Sequence, residues 1–518
     1  MESSQDKAKK GFKVHNTITG RLHEFDSPQK HPEVTIYLCG LTTYDYAHLG
    51  NMRGPILFDV FRKFLKVLGY KVKFVTNFTD VDDKVIKRAN ESGVDWESLT
   101  RKFTREYLLD LSALGIEHAD VYPKVTFHIP DIIDYVREIL DQDFAYVING
   151  NVYFDVRKYH AERKNYGKLS RRNIDEMITE SRTEFDENKR DELDFALWKS
   201  DPEVGWDSPW GKGRPGWHIE CSLMSTKYLG ETFDIHSGAI DLKFPHHENE
   251  VAQAEAHSGD GTFARVWMHY EFINWKGGKL AKSGESFAVR DLFKKYDPET
   301  IRQFILSAKY RSPMDFSDEK MEEIKRSRER IDNFFFEAKR LLGDGIEESR
   351  DNLNNKLSKN VEAEKISDPE AKVASEVEIF PENFLGDLRD DFNTQGAFSR
   401  IFEIVSGANT LLGDPSLRQR GKEILNLAYL EILWAGSILG LFNDERKQLM
   451  QETAAMEILG KGGVSPDNSA EAQKLLDERQ RLKGEKKYAE ADAVRVKITA
   501  LGFEVRDTSD GPVLKPKD

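Results

Sequence analysis

The pattern between residues 34 and 78 constrains the fold more than any other stretch of this chain. Residues 34–39 (VTIYLC) are apolar and partly β-branched, which is typical of a buried strand, and Gly40 is expected to end it. Apolar residues then recur at helical spacing in ILFDVFRKFLKVL up to Gly69, and KVKFVTNF follows as a second strand. A strand, a helix and another strand in this order form a βαβ unit, which predicts a parallel sheet.

The remaining patterns predict a multidomain α/β protein. We expect a Rossmann-like parallel-sheet catalytic domain with an insertion, then an all-α helical domain and a small α+β C-terminal module of two helices and a hairpin. A chain of 518 residues is long enough for roughly two to four domains. The expected segments are the first half of the catalytic domain (12–124), the insertion (125–210), the second half of the catalytic domain (211–316), connecting helices with a variable linker (317–385, the linker at about 345–382), a helical bundle (386–460) and the C-terminal module (466–518).

Composition excludes several classes of protein. With 39% hydrophobic residues, 32% charged residues and only two cysteines, the chain is typical of a globular protein in a reducing compartment. Its apolar runs fall short of the about 20 residues that span a membrane, and the first residues lack the apolar core of a secretory signal. The net charge of −14 opposes non-specific binding of nucleic acid, but this net charge does not exclude a local basic face. We therefore expect a cytoplasmic protein with no membrane partner.

Both cysteines lie beside polar motifs. Cys39 and Cys221 are distant in sequence, and three alternatives are open for them: a disulfide, two inert core residues, or two ligands of a soft metal. In FPHHENE, a proline favours a helix start, and His246 and Glu250 then share a face; His247 and Glu250 also share one. Two thiolates, an imidazole and a carboxylate suit tetrahedral Zn²⁺. Spacing alone leaves open both the choice of histidine and the inert-core alternative.

Two further motifs predict phosphate binding. HLGN lies directly after a strand and near a helix start, where free N–H groups and the helix dipole favour anions. Gly50 allows close approach of the backbone, and His48 can donate to a phosphate oxygen. KLAKS follows two glycines and carries Lys279 and Lys282, which suit the charge of a leaving pyrophosphate. Taken alone, HLGN is more often a plain turn and KLAKS more often a solvated basic loop, but the placement of HLGN between a strand and an amphipathic helix favours phosphate binding.

Together these segments resemble the cysteinyl-tRNA synthetase family, which belongs to the class I aminoacyl-tRNA synthetases. The resemblance implies ATP-dependent ligation of L-cysteine to its cognate tRNA, tRNA(Cys), through a cysteinyl adenylate, with Mg²⁺ accompanying ATP. It also implies a cytoplasmic enzyme, which we expect to be a monomer. It covers the chain from about residue 12 to residue 515 and rests on YLCGLTTYDYAHLGN, VTNFTDVDDKVIKRA, SPWGKGRPGWHIECS, FDIHSGAIDLKFPHHENEVAQ, GGKLAKS and DDFNTQGAF.

The resemblance also implies roles for individual residues. One catalytic Zn²⁺ per chain would be held by Cys39, Cys221, His246 and Glu250, which chooses His246 over His247. A zinc ion that takes the substrate thiolate would separate cysteine from serine without an editing domain. The other implied positions are catalytic His48, Asn51, Lys279 and Lys282, the ATP-binding residues His48, Gly50, Asn51, Lys279, Lys282 and Ser283, and the substrate-binding residues Thr79, Trp217, His236 and Asp241.

The sequence departs from the family pattern in three places. KLAKS followed by GES stands where KMSKS followed by LGN is usual, and HLGN ends in Asn51 where the class signature has histidine. MRGPI stands where the family often has an Arg–Thr pair, and its Pro55 is expected to shorten the first helical turn. In the C-terminal module, a basic cluster is expected to contact tRNA phosphates: Arg479, Arg481, Lys483, Lys486 and Lys487.

Three other functions share part of these features. A cysteine-activating ligase with an amino-sugar acceptor would use the same zinc and ATP sites, but a small acceptor needs neither the helical segment 386–443 nor the final module. A catalytically silent, zinc-containing RNA-binding paralogue would not need His48 and the two lysines. A plain nucleotidyltransferase leaves both cysteines and the C-terminal half without a role.

Overall fold

The computed structural model of the chain has two compact units, Met1–Phe442 and Asn443–Asp518. Each unit has an apolar core of its own among the described residues. The structure describes residues 10–163, 166–174, 177, 188–259, 261–275, 278–279, 288–343, 353 and 367–442 of the first unit, and 466–484, 487, 491, 494, 497–498, 503–508 and 511–516 of the second.

Strands and helices alternate through the first part of the chain, and helices dominate after residue 317. The strands are β1 (Phe12–Asn16), β2 (Arg21–Phe25), β3 (Glu33–Thr42), β4 (Lys71–Thr79), β5 (Ala145–Ile148), β6 (Asn151–Phe154), β7 (Phe195–Ser200), β8 (Gly213–Pro215), β9 (Phe233–Ala239), β10 (Ala264–Tyr270), β11 (Ile273–Trp275), β12 (Gly278–Lys279), β13 (Met314–Phe316), β14 (Phe503–Thr508) and β15 (Gly511–Pro516). The α-helices are α1 (Leu49–Leu68), α2 (Asp83–Ser92), α3 (Trp96–Ala113), α4 (Ile129–Asp141), α5 (Val156–Arg163), α6 (Ile219–Leu229), α7 (His246–Ser258), α8 (Val289–Leu292), α9 (Pro298–Leu306), α10 (Asp318–Leu342), α11 (Asp368–Arg389), α12 (Thr394–Leu412), α13 (Gln419–Leu439) and α14 (Pro466–Gly484).

The predicted βαβ unit is confirmed and forms the centre of a parallel sheet. β3 and β4 pair in parallel across α1, and the full order is β10-β9-β3-β4, parallel throughout. Gly40 does not end β3, because the strand continues to Thr42 past a register shift after Leu38. A Cβ atom at position 40 would lie 1.7 Å from the carbonyl oxygen of Asn77 on β4. The close approach of two backbones therefore explains this glycine.

Helix α1 begins immediately after the strand-to-helix loop and is longer than its apolar pattern suggested. His48 is its N-cap, and Gly69, with φ 98°, closes it in the left-handed conformation. The expectation that Pro55 shortens the first turn is wrong, since the helix runs unbroken through this residue. Most of α1 is buried, and tertiary packing of this kind outweighs the hydrogen bond that an interior proline removes.

The region expected as an insertion, 125–210, contains α4 and three strands of an antiparallel sheet of order β5-β6-β7-β8, whose fourth strand, β8, lies just past residue 210. Its buried side chains, among them Phe154 and Trp198, belong to the same apolar cluster as Cys39 and Cys221. Both thiols therefore lie where this region packs against the parallel sheet.

The described helices in the helical part of the first unit are α10, α11, α12 and α13, whose buried residues share one core with α1. The linker expected up to about residue 382 is wrong from Asp368 onward, where α11 begins. Ser367 forms a capping box with Glu370, and buried Val373 and Val377 continue an apolar stripe. The many charged residues around this apolar stripe are the reason why the sequence pattern indicated a linker.

In the second unit, α14 is followed by the predicted hairpin, in which β14 pairs with β15. The second helix expected there falls largely outside the described residues. Leu476, Leu482 and Val505 belong to the small apolar core of the second unit. Across the described part of the chain, no helix has both the length and the apolarity needed to cross a bilayer.

Candidate functional site

The two cysteines and the HHENE motif meet at the carboxyl ends of the parallel strands. Cys39 lies near the end of β3, Cys221 in the first turn of α6, and His246 and Glu250 in the first two turns of α7. His236 reaches the same place from β9. All five residues are buried. The structure thus brings together the four candidate metal ligands and one residue expected to bind substrate.

Three pairs of side-chain donors in this cluster lie within 4 Å of each other. The Sγ atoms of Cys39 and Cys221 are 3.8 Å apart, and both cysteines are free thiols. Cys39 Sγ lies 3.7 Å from Glu250 Oε1, and His246 Nε2 lies 3.0 Å from the same oxygen. A disulfide needs about 2.05 Å between sulfurs, so the pair is unbridged.

Both histidines of the motif direct Nε2 into the cluster. His247 Nε2 lies 3.2 Å from Cys39 Sγ. Each ring is held by another histidine on its Nδ1 side: His246 by Nδ1 of His218 at 2.9 Å, and His247 by Nε2 of His269 at 2.8 Å. The ligand atoms of Cys39, His246, His247 and Glu250 all lie within 4.8 Å of one another, a group of described residues that contains His247 and not Cys221. The geometry therefore keeps both histidines as candidates.

Neighbouring residues fix the direction of α7. A Cβ atom at Gly238 would lie 2.7 Å from Cε1 of His247, so β9 must have a glycine there. Glu248 turns away from the cluster and accepts backbone N–H bonds from Gly167 (3.0 Å) and Ser170 (2.6 Å). Glu250 is consequently the carboxylate of HHENE that faces the thiols.

Charges within the cluster shift its pKa values strongly. A hydrogen bond from Cys39 lowers the pKa of Cys221 to about 5, against the effect of burial. Burial, together with Cys221, raises the pKa of Glu250 to about 8. Burial alone would lower the pKa of His246, but Glu250 and Cys221 outweigh it and raise that pKa to about 10. Burial keeps the pKa of His247 well below its usual value.

The donor set fits a soft divalent metal ion. Glu250 Oε2 and His236 Nδ1 are buried without a hydrogen-bond partner among the described residues, although His236 Nε2 lies 3.3 Å from Glu250 Oε2. An unsatisfied buried carboxylate oxygen is costly, and a metal ion would satisfy it. Two sulfurs with imidazole and carboxylate are typical zinc ligands.

The expected substrate-binding residues surround this cluster at different depths. Thr79, at the end of β4, donates from Oγ1 to Glu220 Oε2 at 2.8 Å, next to Cys221. Trp217 is 38% exposed and lies over the His246 ring at 4.4 Å between centroids. His236 is fully buried and stacks on Trp267, with 4.3 Å between the ring centroids. Asp241 is exposed on the 3₁₀ turn between β9 and α7.

The HLGN segment forms the N-terminus of α1. His48 Nδ1 accepts the Asn51 backbone N–H at 3.3 Å, and Asn51 Oδ1 accepts the His48 N–H at 3.0 Å. This reciprocal capping box fixes the His48 ring at the positive end of the helix dipole. A Cβ atom at Gly50 would lie 3.0 Å from the His48 ring.

The KLAKS segment is described only at its edge. Lys279 lies in β12, whose backbone pairs with Asn274 of β11, while Lys282 and Ser283 lie outside the described residues. The chain is described again at Ala288, which forms a bridge with His48, and the Val289 N–H donates to Ala47 O at 2.8 Å. Ala288 and Val289, the first described residues after KLAKS, thus lie beside HLGN.

Sequence reasoning missed His218, His269 and Asn77. His218 stands directly before α6 in the same motif as Trp217, a signal that was available in the sequence. His269 stands in an apolar strand, where no pattern distinguishes it. Asn77 Oδ1 accepts the Gly40 N–H at 2.9 Å and lies 3.8 Å from Cys221 Sγ.

The basic cluster of the second unit is only partly exposed. Arg479 is 2% exposed, so its inclusion in a phosphate-binding face is wrong. Arg481 and Lys487 are exposed, and Lys483 is half-buried. Lys486 lies outside the described residues.

Three sequence families match the chain in order. One described as "tRNA synthetases class I (C) catalytic domain" matches residues 25–326, a DALR domain matches 383–443, and a "Cysteinyl-tRNA ligase anticodon binding domain" matches 465–511.

Curated relatives match almost from end to end. The cysteine–tRNA ligase of Aquifex aeolicus is 40% identical over 98% of this chain and 99% of its own length. That of Persephonella marina is 42% identical over 98% of this chain and 100% of its own length. Among solved structures, Mycobacterium tuberculosis methionyl-tRNA synthetase with methionyl-adenylate gives a TM-score of 0.57 at 14% identity, over 80% of this chain and 96% of that chain. The likeness to this structure shows the fold.

Proposed function

Because this chain belongs to the cysteine–tRNA ligase family of class I aminoacyl-tRNA synthetases, we propose that its buried Cys–His–Glu cluster holds the Zn²⁺ ion that selects cysteine. The enzyme joins L-cysteine to its cognate tRNA with consumption of ATP. The proposed ligands are Cys39, Cys221, His246 and Glu250. The cluster at the carboxyl ends of β3 and β9 is the observation that carries this proposal.

The distance between the sulfurs supports a tetrahedral ion. Two ligands about 2.3 Å from a tetrahedral centre lie roughly 3.8 Å apart. Cys39 Sγ and Cys221 Sγ are 3.8 Å apart, and Glu250 Oε1 lies 3.7 Å from the first of them. A bound Zn²⁺ supplies a soft Lewis acid that prefers a thiolate to a hydroxyl group. Trp217, on the solvent side of His246, would border the amino-acid pocket together with Thr79 and Asp241.

Activation of cysteine needs no protein nucleophile. The cysteine carboxylate attacks the α-phosphate of ATP, pyrophosphate leaves, and a ribose hydroxyl of the tRNA then accepts the cysteinyl group. We assign phosphate contacts to His48 and to the backbone near Gly50, with Asn51 fixing the His48 ring. Lys279, Lys282 and Ser283 would bind the pyrophosphate side of Mg²⁺–ATP.

A comparison of cysteine with serine tests the zinc proposal. The purified enzyme should contain one zinc per chain. In ATP–pyrophosphate exchange, its preference for cysteine over serine should be well over the roughly 10²-fold that an apolar pocket gives between near-isosteres. Cys221→Ser should lose zinc and most of this discrimination. Full rejection of serine by zinc-free protein would overturn the proposal.

The second unit would hold the anticodon end of the tRNA. Replacing the exposed Arg481 and Lys487 by Ala should lower kcat/KM for charging of tRNA while leaving pyrophosphate exchange intact, because the activation of cysteine by ATP does not involve the tRNA. Lys474→Ala, an exposed change on the same helix, is the matched control. Equal loss of both activities in the double variant would contradict this division. We also propose that the enzyme is cytoplasmic, since both thiols are free and buried, and that it acts as a monomer.

A further inference from the structure

Arg53 lies in the second turn of α1, two residues after HLGN, and its side chain is fully buried. Within the described residues, no carboxylate forms an ion pair with it. A buried cation without a counterion is costly unless polar groups surround it. Burial accordingly lowers the pKa of Arg53, to about 10. This cost calls for a reason beyond packing.

The guanidinium of Arg53 is surrounded by backbone carbonyl groups from two segments. Nη1 donates to the carbonyls of Glu271 and Phe272, both at 2.7 Å. Nη2 donates to Ser312 O at 2.7 Å and, at 3.3 Å, to the carbonyls of Lys309 and Tyr310. The planar fork of arginine suits such a two-sided arrangement, whereas the single nitrogen of lysine does not.

These two segments lead into the small sheet that carries Lys279. Phe272 directly precedes β11, Ser312 is separated from β13 by one residue, and the two strands pair in parallel. The backbone of β12 then pairs with β11, Asn274 opposite Lys279. Arg53, on the helix that begins with HLGN, therefore binds the backbone just before each of the two strands β11 and β13.

From this chain of contacts we propose that Arg53 is a positioning residue that holds β11, and with it the backbone of Lys279 on β12, in place relative to α1. The inference rests on the proposed role of Lys279 in pyrophosphate departure. A displacement of about 1 Å at such a group is enough to cost about 10²-fold in rate. Arg53→Lys should thus lower kcat of ATP–pyrophosphate exchange by about ten- to a hundredfold. The KM for cysteine and the zinc content should stay unchanged.

A double-mutant cycle distinguishes positioning from a general structural role. If Arg53 acts through Lys279, Arg53→Lys in a Lys279→Ala background should lower kcat by less than about threefold further. If the two losses multiply, the inference is overturned while the role of Lys279 stands. If Lys279→Ala alone leaves exchange unchanged, the proposed role of Lys279 fails and the inference fails with it.

Arg302 supplies the matched control. It is also fully buried and donates to backbone carbonyls, of Leu114 at 3.1 Å and Leu439 at 2.8 Å, but it pairs with Asp59. Whatever Arg302→Lys costs should multiply with the loss from Lys279→Ala. Thermal unfolding shows which variants fold. If Arg53→Lys does not fold, Arg53→Gln, which keeps two N–H donors, takes its place and the same two outcomes decide.

Discussion

Nδ1 of His218 lies 2.9 Å from Nδ1 of His246, so one imidazole donates to the other and the Nε2 atom of His246 is directed at Glu250. His247 is held in the same manner by His269. Because these supporting rings fix the two candidate ligands separately, they provide a way to decide between them.

We predict that His218→Phe lowers zinc affinity by about 10–100-fold, since loss of the partner that orients a ligating imidazole typically costs that much. His269→Phe, which releases His247 instead, should change zinc affinity far less. Competition with a chromophoric chelator measures both constants. The opposite ranking of the two variants would make His247 the ligand.

Zinc affinity should rise with pH. In the metal-free protein the pKa of Glu250 is raised to about 8 and that of His246 to about 10, and burial raises the pKa of Cys39. These groups are protonated below those values and must lose their protons to ligate. Each displaced proton adds about one logarithmic unit of affinity per pH unit.

The measurement is zinc affinity at pH 6, 7 and 8. Calorimetry in two buffers of different ionisation enthalpy counts the protons released. Cys221, whose pKa is lowered to about 5, should contribute none of them at neutral pH. An affinity that is flat over this range would contradict the assigned protonation states.

Much of this site was predictable from the sequence. The rest could not be predicted, and the reasons are physical. The sequence placed Cys39, Cys221 and Glu250 among the candidate ligands because two thiols and a helical i, i+4 carboxylate suit zinc, but it left a disulfide and an inert core open, and only the family resemblance chose between them. The order of strands that brings β9 beside β3 follows from long-range packing, which no local pattern contains. Residues such as His269 become visible only through that packing.

Gly50→Ala should separate stability from activity. Alanine in a helix gains about 0.5–1 kcal/mol over glycine, while loss of the His48 cap costs about 1 kcal/mol, so the free energy of unfolding should hardly change. The new Cβ would press on the His48 ring from 3.0 Å and displace it. We expect a fall of about tenfold or more in kcat/KM for ATP, a loss that corresponds to one misplaced phosphate donor.

Gly386→Ala is the control for this variant. Gly386 lies in α11, and nothing stands within 4 Å of a Cβ built there. This change should stabilise the protein by about 0.5–1 kcal/mol and leave exchange unaltered. Unchanged exchange in Gly50→Ala would show that HLGN tolerates a side chain at its glycine.

The last prediction concerns Asp59, a buried carboxylate on α1. It accepts hydrogen bonds from Arg302 Nη2 at 2.6 Å and Lys63 Nζ at 2.9 Å. Burial alone would raise its pKa, but these two cations outweigh it and lower the pKa. A carboxyl with a lowered folded-state pKa adds stability above its unfolded value, about pH 4, and that stability is lost as the pH falls further.

Asp59→Asn should therefore destabilise the first unit by about 3–5 kcal/mol at pH 7, because it leaves Arg302 buried without its carboxylate. The difference from the parent protein should shrink below about pH 4, where the parent loses the same charge. Urea unfolding followed by tryptophan fluorescence from pH 3 to pH 7 measures both effects. Glu97→Gln, which removes an exposed partner of Arg101, should cost less than about 0.5 kcal/mol. A pH-independent deficit in Asp59→Asn would mean that Asp59 contributes through shape and hydrogen bonding, and that its charge adds nothing to the pairing of α1 with α9.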